Sequence, residues 1–136
     1  MSTQNDPERR PRLDSEPPPA VGEMGWRYHH IGIPTQTPRP NEVYLPAFKM
    51  YVSGFRFSPY GVQWMRFDDD CPLPAVIKTV PHVAFEVDNL AMALEGKEIL
   101  IHPNSPSEGL TVAMIIADGA PVELMEFRAD LRTPSK

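Results

Sequence analysis

Residues 80–85 read VPHVAF and residues 28–33 read YHHIGI; laid over one another, they place His82 on His30. Both runs are rich in β-branched, aromatic and small residues, the composition of a strand. Pro34 closes the first, because the residue before a proline is pushed to extended backbone. A second pair follows in the same order. VQWMRF at 62–67 lies over VELMEF at 122–127 and places Gln63 on Glu123, with the matched positions 33 residues apart in the first half and 41 in the second. Two matches in one order mark an internal repeat. Each half is a small sheet unit, opened by a His-bearing strand and closed by one bearing Gln or Glu, and two such units can pack as pseudo-symmetric partners around one cleft.

Alternate residues of a strand share a face. His30 therefore goes with Tyr28 and Gly32, and His82 with Ala84 and Glu86. His29, Ile31 and Ile33, then Val83, Phe85 and Val87, form the opposite, packing faces. Gln63 shares its face with Met65 and Phe67, Glu123 with Met125 and Phe127, while Val62, Trp64, Val122 and Leu124 pack. The four polar residues thus point where a cavity would lie, and the small Gly32 and Ala84 leave room beside the histidines. Two imidazoles, a carboxylate and an amide oxygen suit a divalent ion of intermediate hardness, such as Zn, Ni, Co, Mn or Fe. An ion so held keeps positions for substrate oxygens or water and can polarise a carbonyl. Gln63 is either a ligand or a hydrogen-bonding neighbour. The HH doublet leaves a second reading, with His29 as the functional ring and His30 a satisfied strand residue.

Elsewhere the punctuation is clear. Residues 34–41, PTQTPRPN, are a loop; 42–52, EVYLPAFKMYV, read as a helix that Pro46 kinks or opens, with an extended segment as the alternative. Residues 68–74 are a turn-rich exit. Asp88 caps a short helix that starts at Asn89 and stops at Gly96. Residues 98–102 form a short strand, 103–109 a loop, and 111–117 with 122–128 a hairpin. Five of the 17 prolines fall in residues 1–25, which hold too little apolar surface to offset the entropy of ordering them. The expected organisation is a disordered tail over 1–25, one domain over 26–128 (module one 26–74, module two 78–128), and a tail over 129–136.

A net charge of −5 argues against binding nucleic-acid phosphates, and no apolar run or cationic amphipathic helix points to a membrane. The single Cys71 excludes an internal disulfide and any Cys-rich metal site. The polar opening without an apolar stretch gives the expectation of a soluble, cytoplasmic protein. Several residues read as structural: Arg66 and Glu126, at matched positions facing the helices, as peripheral ion-pair or solvent contacts, Tyr28 as an aromatic cavity wall, Asp68–Asp70 as a solvated turn, and Cys71 as an unreactive thiol.

HHIGI at 29–33, PHVAFEVDNL at 81–90 and GAPVELMEF at 119–127 resemble the vicinal oxygen chelate proteins, the glyoxalase, bleomycin-resistance and extradiol dioxygenase group. The resemblance spans residues 26–128. It implies an α+β fold of paired βαβββ modules forming a cup-shaped mixed sheet around a metal, here with the first module abbreviated. Carried over by position, it makes His30, Gln63, His82 and Glu123 the metal ligands. Position 63 holds Gln where glyoxalase I-like members carry a carboxylate. The activity implied is a metal-dependent lyase or isomerase acting on a small oxygenated substrate, with Glu123 as ligand and base and Glu86 as a further base. Two other readings stay open. One is an Fe(II) extradiol-type dioxygenase on His30, His82 and Glu123; the other is a metal-free small-molecule binding protein. Exposed sheet edges give the expectation of a homodimer.

Overall fold

The computed structural model describes residues 11–132; residues 1–10 and 133–136, the outer parts of the two expected tails, lie outside the described residues. Between residue 11 and the sheet there is one short helix, α1 (Pro19–Gly22), with Leu13, Val21 and Met24 exposed around it. The body is a single sheet of eight strands: β1 (Arg27–Pro34), β2 (Val43–Leu45), β3 (Met50–Ser53), β4 (Val62–Phe67), β5 (His82–Glu86), β6 (Ile99–Ser107), β7 (Leu110–Ala117) and β8 (Ala120–Phe127). Its order is β2-β3-β4-β1-β5-β8-β7-β6, which is the same four-strand pattern twice, joined by the antiparallel β1–β5 pair. Within each half the first and fourth strands run parallel, β1 with β4 and β5 with β8. One cavity is lined by residues from all eight strands, including both edges, so the sheet curls into a cup. The architecture is the α+β, cup-shaped mixed sheet that the resemblance implies.

Module two carries a helix on its outer face. Here α3 (Leu90–Leu94) buries Leu90 and Leu94 against Val87, Ala113, Ile115 and Leu124, with Phe85 and Val122 beside them. Phe85, Val87, Val122 and Leu124 are on the packing face read from the sequence. Leu124 is fully buried, and such a side chain contributes roughly 1.5–3 kcal/mol relative to exposure. On the inner face Ala84, Val112 and Met125 form a second, smaller cluster. The helix cap is Asn89, whose side chain accepts from the Met92 amide at 3.0 Å, rather than Asp88. Asp88 instead accepts from Arg27 at 2.9 Å. The β7–β8 hairpin turns at Asp118 and Gly119, both with positive φ (53° and 80°), the two-residue turn whose twist matches the flanking strands.

Module one departs from the expected helix. Residues 42–52 form β2 and β3, paired antiparallel around a turn at Pro46–Lys49. Val43, Tyr44, Tyr51 and Val52 favour the pleated sheet, and Pro46, which would break a helix, sits at the turn. These short strands are the second and third strands of the first module, which was expected to be abbreviated. In module two, β6 extends to Ser107 through Pro103 and Pro106, where a loop was expected. β6 is an edge strand, where a missing N–H is tolerated, and its pairing with β7 is broken by register shifts. A five-residue helix, α2 (Ala75–Thr79), links the modules and buries Ile77 beneath the cup. No helix among the described residues is long and apolar enough to cross a membrane.

Candidate metal centre

The centre lies on the inner face of the four middle strands. His30 on β1 stands opposite Ala84, Gly32 opposite both His82 and Gln63, and Ala84 opposite Glu123. His30 and His82 are 3% and 4% exposed. Their Nε2 atoms lie 3.3 Å and 3.0 Å from the same oxygen, Glu123 Oε1, and the three side chains offer ligand atoms within 4.8 Å of one another. All three come from one chain. Gln63 lines the same cavity from β4, beside Gly32. Burial alone would raise the Glu123 carboxyl, but hydrogen bonds and charge from His30 and His82 outweigh it and lower it to about 2. Glu123 is therefore an ionised, ligand-ready carboxylate.

Gly32 makes room for His82. A Cβ at position 32 would stand 2.7 Å from His82 Nδ1 and 2.8 Å from Nε2, and closer still to Cε1. The Cε1 side of the ring fills the space over the bare backbone, so the small residue expected beside the histidine is sterically required.

β1 holds a bulge that parity could not anticipate. Tyr28 pairs with Phe85 but His30 with Ala84, so His29 is the extra residue. The bulge turns His29 from the packing side into the cavity, where its ring stacks on Phe55 at 4.8 Å and its Nδ1 lies 2.8 Å from His30 Nδ1. Burial, then the neighbouring His30, lowers the His29 pKa; Glu123 and Glu86 pull the other way. The bulge also moves Tyr28 off the inner face. It is half exposed, donates to the Tyr60 carbonyl at 2.7 Å and is not among the cavity-lining residues, which corrects its expected place as a cavity wall. The sequence signal for His29 was the doublet itself; what was missing was the bulge.

Glu86 shares the inner face of β5 but sits four residues from His82, about 13 Å along an extended strand. Arg27 holds it at 3.2 Å, and it is not among the residues lining the cavity. Arg66 and Glu126 each make contacts away from the centre. Arg66 grips Glu42 through two hydrogen bonds of 2.7 and 2.8 Å, and Glu126 accepts from the Leu90 amide at 2.7 Å. Cys71 is buried.

The donor set fits a divalent ion. Two ligand atoms about 2.1 Å from an ion stand roughly 3.0–3.4 Å apart in octahedral or tetrahedral arrangement, the range of the two histidine–Glu123 separations. Buried nitrogens are also poorly satisfied: His82 Nδ1 has no hydrogen-bond partner among the described residues, and His30 Nε2 has only the 3.3 Å approach to Glu123 Oε1. An unpartnered buried polar atom costs on the order of 1–3 kcal/mol, and an ion between the rings would engage His30 Nε2.

No protein-family model and no curated protein matches the chain. Solved structures do. A hypothetical protein, BH1468 from Bacillus halodurans C-125, superposes with a TM-score of 0.59 at 14% identity, over 82% of this chain and 99% of that one. Methylmalonyl-CoA epimerase from Mycobacterium tuberculosis superposes with a TM-score of 0.54 at 16% identity, over 77% and 90%. At these identities the likeness is one of fold.

Proposed function

We propose that this chain, which has the vicinal oxygen chelate fold, is a metal-dependent lyase or isomerase acting on a small oxygenated substrate. The observation that carries the reading is the convergence of His30, His82 and Glu123 at one buried point of a mainly apolar cup. These three residues would hold the ion, with Gln63 as a fourth ligand or a hydrogen-bonding neighbour. When bound, a divalent ion supplies Lewis-acid polarisation of a substrate oxygen. The chain's own residues do the rest. Oε1 of Glu123 faces both imidazoles, which leaves Oε2 to accept and return a proton. Its lowered pKa makes it a better ligand than base, so the proton it accepts must come from a carbon already acidified. His29, 2.8 Å from His30 across their Nδ1 atoms, can accept a hydrogen bond from His30 Nδ1–H and so hold the tautomer whose Nε2 carries a free lone pair. The apolar walls exclude water from a charged step.

Two histidines and one carboxylate are also the donor set of non-haem Fe(II) oxygenases, which favours a ring-cleaving dioxygenase as the second reading. One experiment separates the readings. Protein loaded in turn with Ni, Co, Zn or Fe is incubated in D2O with small α-hydroxyketones and with catechol. Exchange of the carbon-bound hydrogen is followed by NMR, and oxygen uptake by electrode. Metal-dependent exchange without oxygen uptake, lost in Glu123→Gln, is the expected result. Iron-dependent uptake with catechol would replace the lyase or isomerase reading by the dioxygenase. Ligand binding that ignores both metal and Glu123 would leave the cup as a metal-free binding site.

A further inference from the structure

The cup around the centre has a chemistry of its own. Its volume is about 240 Å³, and the polar residues lining it are His29, His30, Gln63, His82, Asn104 and Glu123. The rest of the wall is aliphatic, aromatic or thioether, and no lysine or arginine among the described residues lines it. Four methionines, Met50, Met65, Met114 and Met125, come from both modules and are nearly buried. Methionine walls adapt to the shape of an apolar guest without offering it a charge partner.

A size follows from the volume. An engineered apolar cavity of about 150 Å³ takes one benzene molecule. By proportion, this cavity suits a guest of on the order of ten non-hydrogen atoms. A carboxylate or phosphate on that guest, away from the ion end, would be desolvated with no lysine or arginine among the described residues to pair with it.

We infer that the cup selects a compact, uncharged hydrocarbon body whose oxygen pair enters the His30–His82–Glu123 end, and that it rejects guests bearing a carboxylate or phosphate on that body. The inference rests on the reading of that end as an ion site, and it names the substrate class within it. Among the described residues no lysine or arginine lines the cup to hold an anionic body, whereas the ion end accepts an oxygen pair without help from the wall.

The test uses two probes of nearly equal shape, 4-isopropylcatechol and 3,4-dihydroxybenzoate, titrated calorimetrically into the full chain loaded with nickel. Both carry the same oxygen pair; a branched alkyl group in one replaces a carboxylate in the other. The alkyl probe should bind at least ~10-fold more tightly. A smaller preference, or a reversed one, overturns the inference. Leu45, half-buried on the wall at edge strand β2, provides a second variant. Leu45→Lys should narrow the ratio by strengthening the carboxylate probe, and an unchanged ratio would overturn the placement of the body against this wall. Repeating the titration after chelator treatment keeps the two claims apart. Loss of alkyl-probe affinity supports the ion-directed orientation, whereas full affinity with the preference intact overturns the ion reading alone.

Discussion

Gly32→Ala adds one methyl group, and its effect can be worked out from the His82 ring. The new Cβ would lie 2.7 Å from Nδ1 and 2.8 Å from Nε2, with Cε1 nearer still. Ordinary carbon contacts lie at about 3.5–4.0 Å, so the imidazole must retreat by roughly 1 Å. That retreat breaks the 3.0 Å approach of Nε2 to Glu123 and exceeds the ~0.2 Å tolerance of a metal–ligand distance. Overpacking of this kind costs about 1–3 kcal/mol, or roughly 4–12 °C in Tm for a domain of this size. The ion should bind at least ~10–100-fold more weakly, the loss seen when even an outer partner of a ligand is removed. Competition with a chromophoric chelator gives the affinity, and thermal unfolding of the ion-free protein gives the stability. Gly96→Ala is the control: its φ is +72° and no atom lies within 4 Å of a new Cβ, so it should lose stability through backbone strain and keep its ion affinity. His82→Ala placed on top of Gly32→Ala should recover most of the lost stability, because the clashing ring is gone. A Gly32→Ala protein with wild-type ion affinity would refute the reasoning.

Four further outcomes are expected. Glu123 is lowered from 4.5 to about 2, so its contribution to folding is complete above pH 4.5 and is lost as pH falls from there toward 2. Glu123→Gln should therefore lower the Tm of the ion-free protein near neutral pH, and the gap should close in acid; a gap that widens in acid would contradict the sign. His29→Phe keeps a ring to stack on Phe55 but removes the partner of His30 Nδ1, and should weaken the ion roughly 10-fold with little change in Tm. Glu86→Gln should leave ion affinity unchanged and cost less than ~1 kcal/mol in urea unfolding, since its partner Arg27 is 46% exposed. Leu124→Ala, at a fully buried position between β8 and α3, should cost about 2–5 kcal/mol by the same method.

The parts of this fold that could be read early are those set by local pattern. The two His-bearing strands, the Gln- and Glu-bearing strands and their packing parity follow from side-chain alternation, and the structure repeats them as β1–β4 and β5–β8. His30, His82 and Glu123 meet because each opens or closes its unit on the inner face. What local pattern could not carry was register and edge position. The β1 bulge adds one residue between Tyr28 and His30 and exchanges the faces of Tyr28 and His29, which no parity rule detects. β2 and β3 are three and four residues long, too short to show a period, and Pro46 marked a break without saying what it separated. The prolines of β6 read as a loop, because only the finished sheet shows that strand to be at an edge. Glu86 lies on the correct face, but its distance along the strand and its bond to Arg27 depend on the β1–β5 register.

The central claim is that His30, His82 and Glu123 hold an ion. Elemental analysis of the wild-type chain, purified without an affinity tag or chelator and then exposed to divalent ions, tests it most directly when His30→Ala and His82→Ala are treated in parallel. The account predicts close to one ion per wild-type chain and its loss in both variants, with correctly folded circular dichroism spectra. A wild-type chain that takes up no ion, or variants that keep it, would contradict the account.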